Sequence, residues 1–433
     1  MICLLLASVE ARSQTYTLQQ CIDTALAQNI PVKQAGLLAE SAAVQLNQAR
    51  YNLLPNLNAD IFHGLSQGRS IDPNSNSYVN QSLNYASYQL NSGITLFNGG
   101  LLRNTIRQNG SAYEAAQMDV QAARDNLVLN VILAYLQVLN GEDLLRSATQ
   151  RAELSRKEVE RLTILDQQGA IKPSELSDLK GQYMNDQLAI GTARMIAEQA
   201  RLSLLQWMNK PYDAAVTLER VNINALLAAY PATSGEVFEQ ALANFAPVKA
   251  AALRTRSYEF GVRTARSGFY PMVTLGGGLA TNYSSTAQNA TGKIPYNGQL
   301  KNNISTALGV GVTVPLFNRL QTRNKVKQAD IHLRNSVLEQ ESIRVQLRQQ
   351  IDQAYLSMRN AFERYQLLQE QVAAYTHSFQ AAEARYNAGV GTSYDYLIAK
   401  DRMDQAAINL IGAQYDFVLR TQVLDYYKGK SGK

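Results

Sequence analysis

The chain has 433 residues, 41 Lys+Arg against 35 Asp+Glu, a formal charge of +6 and a charged share of only 18%. That length could hold two or three ordinary domains, yet 10 Pro and 1 Trp punctuate it sparsely, and long stretches are dominated by Ala, Leu, Gln, Asn, Arg and Glu. The basic residues are scattered among acids along helical stretches, without the contiguous stripe and stacking aromatics of a nucleic-acid surface, so no nucleic-acid partner is expected.

Residues 2–9 form a short apolar run, followed by Ala11-Arg12-Ser13 with small residues at the two positions a signal peptidase inspects. A signal peptide over 1–13 is expected, either truncated or of an unusual kind, because its basic leading segment is missing. No later stretch reaches ~18 unbroken apolar residues. The richest, 127–139, is interrupted by Asn130 and Gln137. Removing the signal takes Cys3 and leaves Cys21, which shares helical spacing with Leu18 and Ala25 and reads as a buried small hydrophobe.

The chain is written twice. Ala25-Leu26-Ala27-Gln28-Asn29-Ile30-Pro31-Val32-Lys33 returns as Ala241-Leu242-Ala243-Asn244-Phe245-Ala246-Pro247-Val248-Lys249, and the same 216-residue offset carries Arg50 onto Arg266 and Pro55 onto Pro271. After a longer second loop the offset becomes 220, carrying Leu96-Phe97-Asn98 onto Leu316-Phe317-Asn318, Arg103-Asn104 onto Arg323-Asn324, and Gly169 onto Gly389. The expected organisation is a first repeat over 14–209, a linker over 210–233, a second repeat over 234–428 and a tail over 429–433. Each repeat reads helix, strand, loop, strand, very long helix, tight turn, helix. The strand pairs fall at 56–97 and 272–317, and the tips at 165–173 and 386–393.

The strands carry period-2 patterning. Ile304, Thr306, Leu308, Val310, Val312, Val314 and Leu316 share one face, and Ala86, Tyr88, Leu90, Ile94 and Leu96 behave alike. Apolar-out strands joined by the polar loops 67–83 and 284–303 match a membrane β-barrel staple, whereas a soluble hairpin would need an apolar surface to cover it. Four strands cannot close a barrel when about eight is the smallest that does. The subunit must pool strands with copies of itself, and geometry leaves two, three or four copies open.

After the strands the period becomes helical. Ile351, Ala354, Met358, Ala361, Tyr365, Leu368, Val372, Tyr375, Phe379, Ala382 and Tyr386 alternate spacings of three and four, a heptad seam that predicts a left-handed coiled coil. The first repeat continues it through Val131, Ala134, Val138, Leu145, Ala148, Ala152, Val159 and Leu162. The fold class is therefore mainly α, a tandem structural repeat with four strands per subunit as a small membrane β-barrel contribution.

Tandem repeats, Leu-Phe-Asn before each long helix, and the tips Leu165-Asp166-Gln167-Gln168-Gly169-Ala170 and Arg385-Tyr386-Asn387-Ala388-Gly389-Val390 resemble the TolC-like outer-membrane efflux protein family over essentially the whole mature chain. The resemblance implies a homotrimer with a 12-stranded barrel in outer-membrane lipid and a 12-helix α-barrel forming a periplasmic tunnel. It implies a passive outer-membrane channel of a tripartite efflux or type I secretion system, working with a periplasmic adaptor (membrane fusion) protein and an inner-membrane transporter. The alternative reading is a secreted or periplasmic coiled-coil scaffold.

By the same resemblance the periplasmic entrance is gated at the second tip, where the family's tyrosine falls on Tyr386 and its first aspartate on Asp395. The family's arginine position holds Gly391 and its second aspartate position Ile398, so a different lock is expected. The repeat offset places Glu175 on Asp395, and Asp166 stands at the first tip. Gly169, Ala170, Gly389, Val390, Gly391 and Thr392 are the expected adaptor-docking residues. Asp395 also completes a Thr392-x-x-Asp395 capping box, Tyr386 continues the heptad seam, and Pro173 suits a first helical turn. His63, His332 and His377 lack ligand-like spacing, and no phosphate loop or nucleophile elbow appears, so no catalytic residue, metal or cofactor is expected.

Overall fold

In the computed structural model, residues 15–71, 75–80 and 82–429 are described. The expected signal peptide with Cys3, and residues 430–433 of the expected tail, lie outside them. In chain order the elements are β1 (Thr15–Tyr16), α1 (Leu18–Gln28), α2 (Ile30–Tyr51), β2 (Asn56–Ser66), β3 (Arg69–Ile71), β4 (Tyr78–Asn80), β5 (Leu83–Phe97), α3 (Leu101–Gln167) and α4 (Pro173–Trp207). There follow β6 (Thr217–Leu218), α5 (Ser234–Asn244), α6 (Ala246–Arg266), β7 (Met272–Ser284), β8 (Gln288–Asn289), β9 (Gly292–Lys293), α7 (Tyr296–Asn302), β10 (Ser305–Thr313), α8 (Gln321–Asn387) and α9 (Ser393–Tyr427). Helices α3 and α8 are both 67 residues long, about 100 Å at ~1.5 Å per residue, and α4 and α9 are both 35.

Two compact units emerge, one built from 1–37, 117–249 and 341–433, the other from 38–116 and 250–340. The second holds a four-stranded antiparallel sheet in the order β10-β7-β5-β2. Its strands run 9 to 15 residues, as long as the ~9–11 that cross a bilayer at a tilt. Both edge strands keep large apolar side chains in the open, Leu308 at 82% exposure and Ile61 at 73%. Since every residue of β10 is exposed, its alternation does not sort into a covered and an open face.

The structure departs from two expectations. The strand expected to continue to Leu316 stops at Thr313, because Pro315 has no N–H to donate to a ladder. The stretches expected as plain polar loops are structured. β3–β4 and β8–β9 are hairpins, and α7 lies against β7, with Thr281 Oγ1 donating to the Leu300 carbonyl at 2.8 Å. Buried Gln299 fixes that turn, accepting from Ser284 N at 2.8 Å and donating to the Ser284 carbonyl at 2.9 Å.

The first unit has the main core. The most apolar stretch of α3 lies inside it, where Val131, Tyr135 and Val138 are inaccessible. The seam residues Ile351, Met358, Ala361 and Ala382 of α8 are buried and Tyr365, Val372 and Phe379 half-buried. Cys21 is likewise inaccessible, and burial pushes its thiol up to about 11 against the pull of Lys210. Helices α1 and α5 each open with a full capping box, Thr17 with Gln20 and Thr233 with Glu236.

Candidate functional site at the helix tips

Each long helix ends in the same turn. At the first tip Ala170 N donates to the Leu165 carbonyl and Gly169 N to that of Asp166, both at 2.9 Å. At the second, Val390 N donates to Arg385 at 3.1 Å and Gly389 N to Tyr386 at 3.0 Å. This paired closure needs a left-handed residue, supplied by Gly169 (φ 67°) and Gly389 (φ 74°). Gly391 is crowded for another reason: a Cβ there would stand 3.0 Å from Tyr386 N, so the turn would have to give by a few tenths of an ångström. Gly169, Ala170, Gly389, Val390 and Thr392 are exposed, and Gly391 is half-covered.

Pro173 starts α4, while Thr392 caps α9 by accepting from Asp395 N at 3.1 Å. The expected capping box at the second tip is only half made. The Asp395 carboxylate accepts from the Thr392 hydroxyl at 2.8 Å instead of the cap's backbone N–H, because Asp is one methylene shorter than the Gln20 and Glu236 that complete the boxes of α1 and α5. Asp395 is exposed, and Glu175 and Asp166 are half-buried.

Tyr386 is half-buried in a cluster drawn from three helices. Its ring stacks on Tyr396, which also meets Phe379 at 5.5 Å between centroids, and the Arg161 guanidinium lies 5.6 Å from the Tyr386 centroid. Arg161 is held by Glu158, Nε to Oε1 at 3.0 Å. Burial, then the Glu158 charge, push the Tyr386 phenol above its ordinary value, against the pull of Arg161, and Glu175 adds to the rise. Beneath this layer Leu162, Leu176 and Leu179 form a small core joined by Leu397.

A further group was not singled out in the sequence. Lys400 on α9 is 4% exposed, with Nζ 2.7 Å from Asp404 Oδ2 and 3.6 Å from Asp186 Oδ2 on α4. Ser155 of α3 hydrogen-bonds Asp186, and Gln182 Nε2 donates to it at 3.2 Å. Desolvation pushes Asp404 above the ordinary carboxylate range, with Lys400 and then Arg151 pulling it back. The signal was present in the spacing. Leu176, Leu179, Tyr183, Asp186, Ile190, Ala193 and Ala197 alternate steps of three and four, so Asp186 occupies a seam position. Among the described residues no cluster of His, Cys, Asp and Glu is arranged to hold a metal.

Comparison with known proteins agrees with this architecture. The chain is 23% identical to the outer membrane protein TolC of Salmonella enteritidis over 428 residues, covering 98% of this chain and 84% of that one. Its fold is similar to a crystal structure of CusC, with a TM-score of 0.81 at 18% identity over 95% of this chain and 91% of the other. It is also similar to the Campylobacter jejuni CmeC outer membrane channel, with a TM-score of 0.79 at 19% identity over 96% and 86%. Residues 21–210 and 237–429 match the family described as outer membrane efflux protein, and the chain belongs to that family.

Proposed function

We propose that this chain is the exit channel of a tripartite efflux system, a passive duct and not an enzyme, in the outer membrane with its helical tunnel in the periplasm. Three copies close a 12-stranded barrel and a 12-helix tunnel. The observation that carries this reading is the four-stranded sheet whose edge strands β2 and β10 keep large apolar side chains exposed. In lipid, strands must close so that every backbone group is paired, and four cannot do so alone. A secreted coiled-coil scaffold would have no use for strands that present Leu308 and Ile61 to water.

The tips are the periplasmic entrance. Tyr386, with Arg161 and Tyr396, holds α3, α8 and α9 together at the closed entrance, and Gly169, Ala170, Gly389, Val390, Gly391 and Thr392 are where an adaptor docks before an inner-membrane transporter delivers cargo. Glu175, Asp395 and Asp166 supply acid at the mouth. Native mass measurement in detergent tests the assembly: three times the mature subunit is expected, and a stable, detergent-free monomer would refute barrel and tunnel together.

A further inference from the structure

Cations that look scattered in the sequence are gathered below the strands. Arg266 at the end of α6 and Arg323 and Lys327 in the first two turns of α8 line one groove of about 630 Å³ with Leu320 and Asn324. The acid at its rim, Asp330, is paired with Arg334 at 2.7 Å. Among the described residues none of the three cations is in an ion pair. The first repeat carries the same set at the equivalent positions: Arg50 in the last turn of α2, Arg103 and Arg107 in the first two turns of α3.

Arg50 and Arg266 suit the ends of α2 and α6, where a helix favours cations, but helix stability does not account for Arg103, Arg107, Arg323 and Lys327. Helices α4, α5 and α9 carry acids in their first turns, Glu175, Glu236 and Asp395, as the positive end of a helix favours. Helices α3 and α8 carry none there and place cations instead. A second feature points to what the cations meet. The register brings the strand ends Phe97, Met272 and Thr313 together along one edge of the sheet, with Asn56 paired to Gly93 four residues short of it. Between that edge and the cations lie the exposed apolar side chains Leu53, Leu54, Phe269, Tyr270, Leu316 and Phe317, the last two 92% and 79% exposed. An aromatic and aliphatic belt with cations just beyond it is the pattern of a membrane–water boundary.

We propose that each cation set binds the phosphate of an anionic phospholipid whose acyl chains lie along this belt, two sites per subunit. The proposal rests on the membrane-spanning reading above. The full chain is first checked for bilayer insertion and conductance. It is then titrated in detergent with dioctanoyl-phosphatidylglycerol, dioctanoyl-phosphatidylcholine or inorganic phosphate, reading adducts by native mass spectrometry and the thermal shift. Two phosphatidylglycerols per subunit are expected, with no comparable retention of phosphatidylcholine and no comparable shift from phosphate. The variant R266Q/R323Q/K327Q should lose one adduct per subunit, as should R50Q/R103Q/R107Q, each lost site binding at least tenfold more weakly. K293Q/K301Q, at the other end of the strands, should bind as the parent does. Equal retention of phosphatidylcholine, an equal response to phosphate alone, or unchanged binding in both triple variants would overturn the proposal. A chain that inserts and conducts without lipid preference refutes this inference alone; one that does not insert refutes the channel reading and this with it.

Discussion

The ring of Tyr386 at the end of α8 lies parallel to that of Tyr396 at the start of α9, with centroids 5.0 Å apart and planes inclined by 24°. The stack staples the two helices of the second tip, and the Arg161 guanidinium from α3 lies over the Tyr386 ring. Tyr386→Ala removes both contacts, at a cost of about 1–3 kcal/mol for a half-buried aromatic with a cation–π partner. Resting conductance in planar bilayers should rise. Tyr386→Phe keeps the ring and should stay near the parent value. Unaltered conductance in Tyr386→Ala, with the trimer intact, would reduce Tyr386 to packing.

Lys400 should be the least replaceable cation of the tunnel helices. Lys400→Met leaves Asp186 and Asp404 buried without their shared ammonium, and breaking a buried pair from one side costs about 3–5 kcal/mol. Thermal melting in detergent should fall clearly, whereas an exposed pair such as Arg359 with Glu363 should be worth under about 1 kcal/mol. A melt unchanged by Lys400→Met would show the cluster to be solvated.

The same cluster gives a pH dependence with a definite sign. Because burial raises Asp404 above the ordinary carboxylate range, the folded chain holds that proton to higher pH than the unfolded chain does. The stability it contributes is present below the unfolded value and lost as pH rises through the folded one. Melting temperature should therefore decline across mildly acidic pH on raising the pH. In Asp404→Asn that slope should flatten, and an identical slope would assign it to other groups.

How much was legible depends on what kind of pattern each element leaves. The seam from Ile351 to Tyr386 was readable because burial on a long helix repeats every three or four residues, and those side chains are the ones that lose solvent. Asp186 sat on an equivalent seam and was passed over, since its partners Lys400 and Asp404 come from a helix some two hundred residues on and look locally like a surface i,i+4 pair. Helix α7 has seven residues, too few for a period to show, and is held by the buried Gln299. The glycines of the tips were visible as letters. That a side chain at Gly391 would crowd Tyr386 N needed coordinates.

Residues 67–83 and 284–303 should face the cell exterior. A single cysteine placed at Ser75 or at Asn289 should react with a membrane-impermeant maleimide in whole cells. The native Cys21 gives little background, being inaccessible and with its thiol pushed up to about 11. Labelling only after the outer membrane is breached would reverse the orientation.

The two tips carry acids at matched positions. Glu175 and Asp395 hold equivalent positions, each in the first turn of the helix that follows a tip. Three subunits would bring six such carboxylates to one mouth. Asp395 is exposed and, among the described residues, engaged only with its own cap, Thr392, so its charge remains available to an entering ion. Like charges about 8 Å apart repel by roughly 0.5 kcal/mol per pair in water, and the ring lowers this repulsion by attracting counter-ions. The channel should prefer cations at neutral pH and be blocked from the periplasmic side by multivalent cations. Glu175→Gln with Asp395→Asn should shift the reversal potential across a salt gradient toward the non-selective value. Helix stability supplies the internal control, since Asp395→Asn keeps the Thr392 cap on the backbone while removing the charge. Equal cation selectivity in parent and double variant would show that these carboxylates serve only the starts of α4 and α9.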